Sequence, residues 1–163
     1  MTLFNDHEDL SARVRQEIAE IEYATLATVS NSGEPWNNPV YTAFDGGYNF
    51  YWGSPEEATH SQNIESNGKV AMVIYDSRCE PGTGKGVYIK ARAHRVTDEG
   101  EQKRAYGLLI KRRGADAGSY WRYQDFLAHH AVHIYKAEPV EISTHGGELV
   151  NGIYLDRRRP VQL

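Results

Sequence analysis

Hydrophobic positions along the chain change period several times, and each change marks an element. Leu10, Val14, Ile18 and Ile21 recur at helical spacing, and Asn5 with Glu8 offers a capping box, so residues 6–21 read as an amphipathic helix. Tyr23 to Val29 is β-branched and apolar. Asn31-Ser32-Gly33-Glu34 is a turn, followed by an extended stretch to Phe44. Asp45-Gly46-Gly47 closes a hairpin onto Tyr48 to Trp52, where Tyr48, Phe50 and Trp52 share one face, so these three strands form a meander. A helix is expected from Ser54, an N-cap type followed by Pro55 and completed by Glu57 as an S-x-x-E box, with Asn67-Gly68 as its stop.

Val70 to Tyr75 is apolar on both faces and reads as a deeply buried central strand. Residues 80–86 are a mobile connection by composition. Beyond them Val87, Ile89, Ala91 and Ala93 alternate with Tyr88, Lys90, Arg92 and His94, which is the clearest strand pattern in the chain. Asp98 and Glu101 open a second capping box for a helix ending near Arg113-Gly114, and Ser119 to Leu127 reads as a short aromatic-rich helix. Val132, Ile134, Val140 and Ile142 mark a last extended segment around Pro139, and Gly146-Gly147 introduces a tail with Ile153 and Leu155. About six strands with short connections between the first three favour a mostly β (α+β) fold, a six-stranded antiparallel split or closed barrel with short peripheral helices. A parallel doubly wound sheet is disfavoured, because its crossovers need longer connections.

Size and charge narrow the classes of function. A chain of 163 residues, 40% hydrophobic and 25% charged, fits a single domain spanning residues 1–163. A net charge of −4 without a long basic run argues against nucleic acid or a membrane surface as partner. The first residues lack the basic start and apolar stretch of a signal peptide, so the reading is a cytoplasmic protein. Cys79 is alone, which excludes an internal disulfide and a cysteine metal cage.

Three local patterns suggest chemistry. Gly82-Thr83-Gly84-Lys85-Gly86 looks like a P-loop but has Cys79 and Gly86 where the first Gly and the Ser/Thr belong, so it reads as a loop. His129, His130 and His133 could supply metal ligands, yet no carboxylate follows closely and His133 falls on a strand, so no metal site is assigned. Helix N-termini bind anions, which makes Thr59, His60 and Ser61 extra donors at the start of the second helix, although Glu56 and Glu57 would repel a phosphate. Pro35-Trp36-Asn37-Asn38-Pro39-Val40-Tyr41 is rich in amides and aromatics, a combination suited to a planar heteroaromatic ligand or, more simply, to a bulge between prolines.

The order of Ala24–Val29, Gly33-Glu34-Pro35, Asn38–Tyr41, Trp52-Gly53-Ser54, His60–Ile64, Val70–Asp76 and Gly86–Ala93 resembles the pyridoxamine 5′-phosphate oxidase-like FMN-binding split barrels, over roughly residues 20–97. The resemblance implies a homodimer with FMN at the subunit interface. It implies that Asn37, Asn38, Pro39, Val40 and Tyr41 line the isoalloxazine, and that Trp52, Gly53 and Ser54 lie near the ribityl phosphate. Where the family's helix begins Ser-Arg-Lys, this chain has Ala58-Thr59-His60, making His60 the candidate for the lysine's role with Thr59 and Ser61 as uncharged donors. Lys85 stands where the family often has an arginine beside the flavin. The Arg-Leu-His segment that the oxidase uses for its substrate is absent, so the vitamin B6 activity is not expected. The expectation is an FMN-dependent oxidoreductase acting on an unknown small molecule, with no catalytic residue assigned. The alternatives are a non-catalytic carrier of flavin, haem or F420 on the same fold, and an interaction barrel with no cofactor.

Overall fold

A computed structural model describes residues 9–81, 83–114, 123, 125 and 132–163. Three helices and eight strands carry the described chain, in the order α1 (Leu10–Glu20), β1 (Tyr23–Val29), β2 (Pro35–Tyr41), β3 (Ala43–Phe44), β4 (Phe50–Pro55), α2 (Thr59–Asn67), β5 (Lys69–Tyr75), β6 (Gly86–Arg95), α3 (Glu99–Arg113), β7 (Val132–Val150) and β8 (Ile153–Pro160). The strands form one antiparallel sheet ordered β2-β1-β5-β6-β7-β4-β3, with β8 added to β7. Its two ends, β2 and β3, are separated in sequence only by Thr42. One bent segment therefore pairs with β1 through its first half and with β4 through its second, and this curls the sheet into a split barrel. The meander holds in that bent form, and the strand count rises from six to eight.

Inside the barrel Leu26, Phe50, Trp52, Met72, Ile74, Val87, Ile89 and Tyr135 are buried, and Val14 and Ile18 of α1 close one end. The Asp9 carboxylate caps α1, accepting from the backbone N–H of Ser11 and Ala12 at 3.0 and 3.1 Å, so the helix starts at Leu10; residues 6–8 of the expected helix lie outside the described residues. Tyr51 faces the other way, into a smaller cluster with Val96, Ala105 and Ile134 beneath α3. The strand covered on both faces is thus β4, not β5 as its sequence suggests. On β5, Val70, Met72 and Ile74 point inward while Ala71 and Tyr75 are exposed.

Local chemistry set several boundaries as expected. Asp98 caps α3 by accepting from Glu101 N–H at 2.7 Å, and α3 ends at Arg113. Gly68 ends α2 at φ 65°, where a Cβ would meet the Ala93 carbonyl oxygen at 2.9 Å, so only glycine fits. On β6 the inward Val87, Ile89, Ala91 and Ala93 alternate as read.

Three further expectations need correcting. Tyr48 lies at φ 57° in the Asp45 turn, whose carboxylate accepts from Gly47 and Asn49 N–H, so β4 begins only at Phe50. Gly146-Gly147 does not end the last strand, because β7 continues through it to Val150. Asn151 and Gly152, at φ 53° and 78°, then make a two-residue turn into β8, which replaces the expected tail. The extended segment does run through Pro139 as read, at a bulge where Lys90 faces Glu141 and Ala91 faces Pro139, leaving Val140 over. The third correction is the start of α2, taken up below. The expected helix over 119–127 falls almost wholly outside the described residues.

Candidate functional site

The end of β4 is where the sequence-predicted residues meet. The strand runs on through Ser54, opposite His133, to Pro55, opposite Val132. A turn closed by Ala58 N–H to the Pro55 carbonyl at 3.2 Å follows, and α2 starts at Thr59. Ser54 is therefore not a helix cap: pairing with β7 overrides the local signal. Two consequences bear on anion binding. The N-cap position, Ala58, supplies no side-chain hydrogen bond, and no acidic residue stands in the first turn. Glu56 lies ahead of the helix, with its carboxylate accepting from Arg95 at 3.3 Å and sharing a 3.1 Å hydrogen bond with His133. Glu57 directly precedes the N-cap, so both glutamates stand just ahead of the first turn rather than in it.

The polar side of α2 is turned into the protein. His60 Nε2 and Ser54 Oγ share a hydrogen bond of 2.7 Å, and the two residues are 7% and 3% exposed. Burial lowers the pKa of the imidazole, which is neutral at pH 7. One turn on, Asn63 donates to Thr28 Oγ1 at 3.0 Å. Ser61 is fully buried; its hydroxyl faces that of Tyr135, though neither reaches a partner with good geometry. Thr59 is exposed at the tip. Trp52 is fully buried and stacks on Tyr135, ring centroids 5.9 Å apart, with its indole N–H unpartnered.

On the outer side of the same strand end lies a mostly apolar groove of about 250 Å³. Tyr41 of β2 and Gly53 and Pro55 of β4 form one wall; Tyr106, Leu109, Ile110 and Arg113 of α3 form the other, with Val132 at the end. The Tyr41 hydroxyl donates to the Leu109 carbonyl at 3.4 Å, and burial followed by the nearby Glu22 raises its pKa against Arg112 and Arg113. Sequence reasoning missed the α3 wall. The helix itself was legible, but nothing local told which barrel edge it would cover.

Not every predicted residue converges here. Asn37 and Pro39 are exposed on β2, and Asn38 is half-buried with its amide donating to the Pro39 carbonyl at 3.2 Å. Val40 points into the core. Lys85 is remote: it precedes Gly86 at one end of β6, whereas Arg95 at the other end pairs with Tyr135 beside Trp52, a strand length of about 30 Å away. Lys85 lines a separate polar hollow of about 250 Å³ with Glu17, Glu20, Asp76 and Arg78. Of the histidines weighed for metal, His133 is on β7 as expected, and His129 and His130 lie outside the described residues. No group of three or more metal-ligating side chains occurs among the described residues. No helix among them is long and apolar enough to cross a membrane.

A split barrel with this strand order defines a class, and the sequence places the chain within it. The chain belongs to the pyridoxamine 5′-phosphate oxidase family, whose sequence profile matches residues 10–146. Among solved structures it is similar to a Bacteroides thetaiotaomicron protein catalogued as a candidate 5-nitroimidazole antibiotic resistance protein, with TM-score 0.70, 12% identity and 84% of each chain covered. It is also similar to a haem binding protein from Mycobacterium smegmatis, with TM-score 0.69, 16% identity and 94% of this chain against 60% of that one. HutZ, the haem storage protein of Vibrio cholerae, matches with TM-score 0.63, 18% identity, and 81% and 91% covered. At these identities the likeness is one of fold. No curated protein matches the chain.

Proposed function

We propose that the protein binds FMN as a homodimer and acts as a flavin-dependent oxidoreductase on a small molecule. The observation that carries this reading is the double use of the β4 end. Gly53 and Pro55 open onto the groove, while Ser54 between them is tied to the uncapped first turn of α2. A flat, largely apolar ring suits the groove, and the free backbone N–H groups at Thr59, His60 and Ser61, with the Thr59 hydroxyl, suit a phosphate. Bound FMN supplies hydride or single-electron transfer; the polypeptide binds it, orients the ring and excludes water.

The groove is smaller than the roughly 300–1,000 Å³ usual for such sites, which fits a pocket completed by a second copy. The uncovered outer face of β1, β2 and β5 supplies the docking surface, since Tyr23 and Tyr75 are 57% and 47% exposed there beside a hollow of about 500 Å³ that includes Pro39. Lys85, remote from the groove of its own chain, serves the site of the second copy.

Haem binding or storage is the second reading, favoured by the description of two similar structures as haem proteins. Absorbance of the purified protein after adding FMN or haemin, and removing the excess, separates the two. Retained flavin bands at one FMN per chain support the first reading. A Soret band with no retained flavin supports the second.

A further inference from the structure

We infer that His60 is a positioning residue for the cofactor groove, acting through its buried hydrogen bond to Ser54 rather than as a charged grip on phosphate. The inference rests on the flavin reading above and revises the role that the family resemblance gives to this position.

The bond joins the end of β4 to the first turn of α2. Side chains alternate along β4, so fixing Ser54 toward α2 fixes Gly53 and Pro55 toward the groove. Asn63 supplies a second tie, from the same helix face to Thr28 of β1. The phosphate end and the ring end of the site are thus joined by one 2.7 Å contact between two side chains that solvent scarcely reaches. A charged grip requires the opposite arrangement, an exposed and protonated side chain. Burial lowers the His60 pKa and so disfavours the charged form. A buried polar pair adds little net stability over an apolar pair, but it is directional, and direction is what a groove wall needs.

The test is the FMN dissociation constant of the parent, Ser54→Ala, His60→Ala, the double variant, His60→Gln and His60→Lys, each with a urea midpoint. Each alanine variant is expected to weaken FMN about tenfold, the double variant no more than either single one, and His60→Gln to recover most of the loss. His60→Lys is expected to weaken binding too, because it buries a charge. Tighter binding by His60→Lys, or an unchanged constant in Ser54→Ala, would overturn the inference. Should His60→Ala fail to fold, Ser54→Ala and His60→Gln still decide. If the parent retains no FMN the flavin reading falls, and amide hydrogen exchange at Gly53 and at Gln62, whose N–H donates to the Ala58 carbonyl at 3.0 Å, takes over. Faster exchange at both in Ser54→Ala supports the coupling, and unchanged exchange rejects it.

Discussion

Ser54 of β4 stands opposite His133 of β7, and this pairing decides where α2 begins. The local sequence offers a serine cap, a proline at the next position and a glutamate three residues on, all of which favour a helix from Ser54. The ladder to β7 holds Ser54 and Pro55 extended instead, and the helix starts four residues after Pro55, uncapped. A weak local preference gives way to tertiary pairing, and a helix end without a side-chain cap is the result.

Filling the groove from its β4 wall tests its role without disturbing the core. Gly53 is exposed, so Gly53→Val is expected to keep the urea midpoint near that of the parent while weakening FMN by more than about tenfold. Equal FMN affinity in this variant would remove the groove from the site.

Legibility followed the range of the interaction. The alternation of β6, the Asp98–Glu101 cap and the Gly68 stop were read from the sequence because each depends on neighbours within a few residues. The β4 start depends on Tyr48 taking a positive φ, and the β7–β8 hairpin depends on Asn151-Gly152, a turn pair that competes in the sequence with Gly146-Gly147. Burial of β4 on both faces and exposure of one side of β5 depend on where α3 packs, which no window of sequence encodes. In the site, the meeting of Tyr41 with Gly53 and of Ser54 with His60 lies within the segments singled out by resemblance, whereas the α3 wall and the distance of Lys85 follow from topology alone.

The Trp52–Tyr135 stack anchors the barrel below the site. Trp52→Ala is expected to cost about 3–5 kcal/mol in urea unfolding, since both rings are fully buried. Tyr135→Phe removes a hydroxyl without a well-formed hydrogen bond and is expected to stay within about 1 kcal/mol of the parent. A large loss in Tyr135→Phe would mean that this hydroxyl has a partner after all.

Stability should fall on mild acidification. Burial holds the His60 imidazole below its ordinary pKa of 6.5; for His145 burial and the nearby Arg158 and Arg13 outweigh Asp156 in the same direction. Below about pH 6.5 the unfolded chain takes up protons that the folded chain resists, so the contribution is full above that pH and is lost as pH drops toward the folded values. Urea midpoints at pH 5.5 and 7.5 are expected to show this decline, with a smaller drop in His60→Gln. An identical drop in parent and variant would mean that His60 is not held neutral.

The outer face of β1 and β5 makes a separate prediction about assembly. Light scattering is expected to give twice the chain mass of 18.4 kDa, and Tyr75→Glu, which places a charge on the uncovered face, is expected to return it to one chain with FMN affinity reduced. A monomeric parent that binds FMN fully would separate the site from dimerisation.

The most direct measurement is an equilibrium titration of the purified protein with FMN, read by flavin absorbance and fluorescence and followed by dialysis. Saturation at one FMN per chain, lost when Gly53 is replaced by Val, is the predicted result. A flavin spectrum and fluorescence unchanged by the protein would contradict the account.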